Sequence, residues 1–205
     1  MSKLSPHVSL WRYEINATAH DCDGEHHRES VLISHEDPDR IVFSRGTLFA
    51  PGGPSAVHLT PMSTENKGWA SIGNATDEGG RGWSYHWERV TDRTVLDTYL
   101  QEVEEGRHSL PQTTLERLVR YRSLALVQEA FPDATGIGVN PAPPEGKLWE
   151  ITDIFGDPTH APKTLWAGPA DECPLPMASV KRISGDLEFL YTNELVEYGS
   201  YVRLH

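Results

Sequence analysis

A flexible turn that leads into a β-strand is predicted by the stretch Gly79-Gly80-Arg81-Gly82-Trp83-Ser84-Tyr85-His86-Trp87-Glu88-Arg89-Val90. Side chains alternate between the two faces of a strand with a period of two residues. One face of this strand therefore carries Trp83, Tyr85 and Trp87, and the opposite face carries His86 and Glu88. We expect the aromatic face to build a core or to line a pocket, and the polar face to carry a proton-transfer or metal-ligand pair.

The residues before this strand predict an antiparallel meander. Residues 8–19 alternate between apolar and polar side chains, and Asp21-Cys22-Asp23-Gly24 forms a turn because Asp-Gly supplies the positive φ of a tight hairpin. A second strand returns over residues 30–35, and a third covers residues 40–49 with a bend at Gly46. Residues 50–82 are rich in Gly, Pro, Ser, Thr and Asn, and predict a long loop with one short strand at 56–60.

Two helices follow the central strand. The first is capped at Thr91 or Asp92 and ends at Gly106. The second runs from about residue 111 to residue 131, with Thr113 and Glu116 at the spacing of a capping box. Apolar residues at helical spacing give each helix one face for a core.

The C-terminal part of the chain predicts a return to β-structure. The expected strands cover residues 147–154, 164–167, 178–183, 187–191 and 198–204. Strands, then two helices, then strands is typical of an α+β fold. We expect one domain over residues 1–205, with a mostly antiparallel, strongly bent sheet and the central helix pair packed on one face. A partly closed barrel is the alternative.

Composition limits the functional classes. The formal net charge of −12 disfavours binding to nucleic-acid backbones and to anionic membranes. No apolar run is long enough to span a bilayer, and the first residues lack the apolar core of a signal peptide. Cys22 and Cys173 are too few for a disulfide framework. We therefore expect a cytoplasmic, acidic protein whose partner is a small molecule.

His86 and Glu88 are the main candidates for catalysis. Their spacing on a strand places both on one side, about 7 Å apart. A histidine and a carboxylate at that distance suit a base with its partner, or two ligands of one divalent metal. His58, on the short strand at 56–60, is the candidate for a second acid or ligand. The alternative is a polar strand face that only meets solvent.

A second metal site is suggested by the first hairpin turn. Imidazoles and carboxylates bind divalent cations, and several of them crowd this turn. The members of this group are His20, Asp21, Asp23, Glu25, His26 and His27. The alternative is a solvated hairpin tip, where Asp and Gly are required by the backbone.

Arg122 is the candidate anion clamp. It lies in the middle of the apolar stripe of the second helix, and a charge directed at a core must be paired or must face a polar cavity. Its planar guanidinium suits a substrate carboxylate or phosphate. The alternatives are a structural salt bridge to a sheet carboxylate such as Glu88 or Glu150, and a side chain that reaches solvent at the edge of the stripe. Trp83 and Arg81 complete the predicted substrate-binding set.

Two functional hypotheses follow. The first is a small-molecule hydrolase, lyase or isomerase that uses His/Glu acid–base chemistry, with or without a divalent metal, on a polar or anionic substrate. The second is a non-catalytic acidic binding protein, such as an immunity, inhibitor or anti-defence factor, for a basic macromolecular partner. The concentration of His, Glu and Arg residues near the long loop makes the first the main hypothesis. The high tryptophan content and the acidic balance are the grounds for the second, which is the alternative.

Overall fold

The computed structural model describes residues 4, 8–21, 23–38, 58–59, 66–74, 81–140, 148–156, 163–193 and 201–204. The chain divides into two compact units. We call residues 9–91 the sheet unit, and residues 1–8 together with 92–205 the helical unit. The expectation of a single domain over 1–205 stays a prediction.

Strands in the described residues are β1 (Trp11–Asp21), β2 (Gly24–Ser34), β3 (His58–Leu59), β4 (Lys67–Asn74), β5 (Arg81–Arg89), β6 (Ala134–Val139), β7 (Ile151–Gly156), β8 (Lys163–Ala167) and β9 (Tyr201–Arg203). The α-helices are α1 (Arg93–Glu104), α2 (Gln112–Gln128) and α3 (Met177–Thr192). In the described part of the chain, no helix is long and apolar enough to cross a bilayer.

The sheet unit contains an antiparallel sheet in the order β2-β1-β5-β4-β3. Its first hairpin closes where the sequence predicts, because Asp21 pairs with Gly24 and Gly24 has a φ of 123°. That angle lies outside the range that most other residues adopt easily. The predicted strand over 40–49 lies outside the described residues. The long-loop prediction for 50–82 is wrong at residues 67–74, which form β4.

The alternation predicted for the central strand is confirmed. Tyr85 and Trp87 are buried, whereas His86 and Glu88 are exposed. Tyr85 and Trp87 belong to a core cluster with Tyr13, Ile15 and Ala70. Gly68 lies opposite Trp87 on the neighbouring strand, and a Cβ atom at Gly68 would overlap the Trp87 indole. Glycine is therefore required there by the close approach of the ring.

The helical unit contains a second antiparallel sheet, in the order β8-β7-β6-β9. Helices α1 and α2 pack on each other, and α2 also contacts β6 and α3. The carboxylate of Asp92 caps α1 as predicted, accepting a hydrogen bond of 2.9 Å from the Thr94 amide. The capping box predicted for α2 is wrong: Pro111 precedes the helix without a side-chain cap, and Glu116 binds Arg120.

Two C-terminal predictions are also corrected. Residues 177–192 form the single helix α3 instead of strands at 178–183 and 187–191. The buried residues Ile183, Leu187 and Leu190 recur at spacings of four and three, which is the helical period. The α+β class, the antiparallel pairing and the central helix pair are confirmed. The described strands form two sheets and no closed barrel.

Candidate functional site

Strand pairing places polar side chains around His86. The register puts Glu14 of β1 opposite His86 on one side and Trp69 of β4 opposite it on the other. Side chains directly opposite each other in an antiparallel pair lie about 5 Å apart at Cβ. The Trp69 and His86 ring centroids are 6.1 Å apart, with an angle of 57° between the ring planes. We call Arg12, Glu14, Trp69, His86 and Glu88 the outer face.

Arg12 sets the charge of the outer face. Its Nη1 lies 2.5 Å from Oε1 of Glu14 and 3.5 Å from Oε1 of Glu88. One guanidinium thus serves two carboxylates, and the carboxylates are about half exposed or more, at 52% and 63%. Exposed pairs contribute little to stability because water screens them. The outer face therefore presents carboxylate, imidazole and indole groups, while its arginine is already engaged.

Three of the predicted site residues have backbones in the sheet but side chains outside the described residues. His58 pairs through β3 with Ser71 of β4, and Ser71 pairs with Ser84 of β5. Arg81 and Trp83 lie in β5. The structure therefore brings His86 and Glu88 together with Glu14 and Trp69, and the roles of the other three stay predictions.

The described residues do not add a third ligand to either of the predicted metal sites. Among them, no group of three or more His, Cys, Asp and Glu side chains is arranged to hold a metal ion. At the first hairpin, His27 lies 3.5 Å from a Glu25 carboxylate oxygen and 3.3 Å from the Thr18 hydroxyl. The side chains of His20 and Asp21 lie outside the described residues. The metal roles predicted for His86 with Glu88, and for the hairpin, stay predictions.

Arg122 belongs to the helical unit and is buried in an ion pair. It is 3% exposed, and its Nη2 lies 2.5 Å from Oδ1 of Asp186, which is 1% exposed. The Arg122 Nε also donates to Asp186 at 3.1 Å, and the Ser123 hydroxyl donates to the same carboxylate at 2.7 Å. The partner is a helix carboxylate on α3, so the predicted sheet partners Glu88 and Glu150 are wrong. The pairing itself matches the structural alternative.

Burial shapes the electrostatics of this pair. Desolvation raises the pKa of the Asp186 carboxyl, against the opposing effects of Arg122 and Ser123. Desolvation alone would lower the pKa of Arg122, but the hydrogen bonds and charge of Asp186 reverse this and raise it. The exposed Glu104 adds a contact of 3.3 Å to Arg122 Nη2. Arg122 is thus engaged by the protein's own carboxylates.

Sequence reasoning missed Glu14 and Trp69. Glu14 is visible in the first strand pattern, but which strand lies beside β5, and in which register, depends on tertiary pairing. Trp69 lies in the segment predicted to be a loop. A partial signal existed, because Trp69 is an isolated aromatic residue in a Gly-rich stretch.

Comparison with known proteins does not assign the chain to a family. No protein-family model, curated protein or solved structure matches this chain. Function is therefore inferred from the residues and their geometry.

Proposed function

We propose that the protein is a small-molecule enzyme that binds a polar substrate on the outer face and acts on it by acid–base chemistry. One observation carries the proposal: His86 pairs with Glu14 on one neighbouring strand and with Trp69 on the other, its ring lies 6.1 Å from the Trp69 ring, and Glu88 follows two residues along the same strand. The reaction class is that of a hydrolase, lyase or isomerase, with or without a divalent metal.

Each residue has a distinct role in this proposal. Histidine titrates near neutral pH and suits the transfer of a proton to or from a substrate. Glu14, opposite His86 in the strand register, adds a second carboxylate to Glu88 on the same face for contacts to the substrate. Trp69 offers a flat apolar surface for part of the substrate. Because Arg12 is engaged by Glu14 and Glu88, the outer face favours a polar neutral substrate over an anionic one.

A second candidate function is a non-catalytic binding protein. The observation that favours it is the exposure of His86, Glu14 and Glu88 on the sheet surface, together with the net charge of −12. A partly exposed tryptophan surrounded by charged side chains is typical of protein interfaces. The partner in this case would be a basic protein whose capture weakens as salt is raised.

The experiment compares metabolite extracts before and after incubation with purified protein, read by mass spectrometry. Wild-type protein should deplete one compound and form another, and His86→Ala should lose this conversion while keeping the wild-type melting temperature. His27→Ala, which removes an exposed histidine from the first hairpin, is the matched control and should retain conversion. If no compound changes, or if His86→Ala converts as fast as wild type, the enzyme proposal fails.

Metal involvement has its own test. Tag-free protein purified without chelator is analysed for bound metal, alongside His86→Ala and His26→Ala. Stoichiometric metal lost only in His86→Ala would assign it to the outer face, and metal lost only in His26→Ala would assign it to the hairpin. Metal-free protein that still converts the compound would assign the chemistry to the side chains alone.

A further inference from the structure

The helical unit contains a groove whose lining is rich in arginine. None of its residues belongs to the outer face. The groove has a volume of about 350 Å³ and is lined by Glu116, Arg117, Arg120, Tyr121 and Arg203. The first four come from α2, where residues three and four apart lie on one side of the helix. Arg203 comes from β9. We call these five residues the arginine groove.

Arg120 is the fixed part of the arginine groove. Its Nη1 donates to the backbone carbonyl oxygen of Arg203 at 2.5 Å, which ties α2 to β9. Its Nε donates to Oε1 of Glu116 at 2.9 Å, and its Nη2 lies 2.9 Å from the same atom. Arg120 is only 17% exposed. The carboxylate of Glu116 therefore offsets the charge of Arg120, and among the described residues no carboxylate pairs with the other two arginines.

Arg117 and Arg203 are the free part of the arginine groove. Both are exposed, and among the described residues neither guanidinium takes part in an ion pair or hydrogen bond. Other arginines of the helical unit do have carboxylate partners, as Arg93 does with Glu129 and Arg107 with Glu105. The chain has 30 acidic residues against 18 basic ones, yet none of the carboxylates in the described part of the chain pairs with Arg117 or Arg203.

The groove thus combines like charges with space for a ligand. Two guanidinium groups that line one groove repel each other, and an anion between them removes that repulsion and accepts several of their hydrogen bonds. Planar N–H forks match the oxygens of phosphate and carboxylate groups. The volume lies at the small end of the range for small-molecule pockets.

We propose that the arginine groove is a binding site for the phosphate or diphosphate group of a small molecule, held by Arg117 and Arg203 and positioned by Arg120. A doubly charged phosphate balances the two free guanidinium groups, which a single carboxylate does not. The net charge of −12 opposes a nucleic-acid backbone, whose many phosphates would meet the acidic remainder of the surface. The site does not depend on the chemistry proposed for the outer face.

The test is isothermal titration calorimetry of the full chain with inorganic phosphate and with pyrophosphate, near neutral pH and at physiological salt. We expect saturable binding with a stoichiometry of one, tighter for pyrophosphate. Arg117→Gln and Arg203→Gln should each weaken pyrophosphate binding by about tenfold, because each removes a charge-assisted hydrogen bond. Arg28→Gln, which removes an exposed arginine from the sheet unit, should leave it within about twofold of wild type.

Several outcomes would overturn the proposal. Absence of saturable heat with pyrophosphate would do so, as would unchanged affinity in both groove variants. An equal loss in Arg28→Gln would show that only overall charge matters. If the protein bound a short single-stranded oligonucleotide but not pyrophosphate, the ligand would be a nucleic acid and the proposal of a small molecule would be wrong. Melting curves of the three variants verify that each is folded, since all three side chains are exposed.

Discussion

Arg122 and Arg117 lie five residues apart on α2 and have opposite environments. Arg122 is 3% exposed and held by Asp186, whereas Arg117 is exposed and has no carboxylate partner among the described residues. A helix turns 100° per residue, so five residues separate two of its sides. The most conspicuous arginine in the sequence is thus paired within the protein, whereas a less conspicuous one has no partner among the described residues.

The difference has a physical origin in burial. A buried guanidinium must be compensated from within the protein, because an unpaired charge in a core is costly. An exposed guanidinium carries no such requirement, so its lack of a partner costs little and leaves its hydrogen-bond donors available. The contrast between Arg122 and the arginine groove can therefore be tested by substitutions in the buried ion pair and in the groove.

The largest effect is expected from Asp186→Asn. The substitution leaves Arg122 buried without its counter-charge, so the free energy of unfolding should fall by about 3–5 kcal/mol. Equilibrium unfolding in urea measures the change. Asp97→Asn is the control, since Asp97 pairs with Arg93 at 3.1 Å, is 33% exposed and leaves Arg93 its second partner Glu129, and it should cost less than about 1 kcal/mol. A loss below about 1 kcal/mol for Asp186→Asn would mean that the buried pair does not hold the fold.

The next effect concerns the arginine groove. Pyrophosphate at about 100 times its dissociation constant should raise the free energy of unfolding by about 2.7 kcal/mol, because it binds only the folded state. Thermal unfolding at increasing pyrophosphate concentration measures this stabilisation. The double variant Arg117→Gln/Arg203→Gln should show almost none. Equal stabilisation of wild type and the double variant would show that pyrophosphate binds outside the arginine groove.

A third prediction uses pH. In Arg122→Met the Asp186 carboxyl keeps its desolvation but loses the opposing guanidinium, so its folded-state pKa should rise further above the ordinary value of about 3.9. A folded state with the higher pKa binds a proton that the unfolded chain releases. The variant should therefore lose stability relative to wild type as pH rises from the folded-state pKa of wild-type Asp186 through the higher pKa of the variant, by about 1.4 kcal/mol for each pKa unit between the two. Urea unfolding at acidic and neutral pH measures this difference, and parallel curves for the two proteins would contradict it.

The smallest effect is expected from Arg117→Gln without ligand. The side chain is exposed and has no carboxylate partner in the described structure, so the free energy of unfolding should change by less than about 0.5 kcal/mol. Urea unfolding in phosphate-free buffer is the measurement. A loss of more than about 1 kcal/mol would show that Arg117 supports the fold, as Arg122 does.

Local patterns of the sequence predicted much of the fold. The alternation at residues 85–88 and the Asp-Gly turn depend on near neighbours only, and both are confirmed. The same holds for the Asp92 cap of α1. Strand β4 was missed because its Gly and Ser residues have low β propensity and the sheet compensates for them. The sequence predicts two strands where α3 forms, because helix and strand patterns overlap in short apolar windows.

The candidate sites depend on contacts that no local pattern contains. Helical periodicity predicted that Arg122 faces a core, but its partner Asp186 is 64 residues away on an element read as strand. The outer face required the pairing of three strands, and the arginine groove required β9 to lie beside α2. The spacing of Arg117 and Arg120 was visible in the sequence, but Arg203 gave no sign that it belongs with them.

The most direct measurement follows the arginine side chains themselves. A nitrogen–proton correlation spectrum of the Nε–Hε groups, recorded while pyrophosphate is added, reports on Arg117, Arg203, Arg122 and Arg28 in one sample. We expect saturable shifts for Arg117 and Arg203, with Arg122 and Arg28 unchanged. Shifts at Arg122 without shifts at Arg117, or equal small shifts at every exposed arginine, would contradict it.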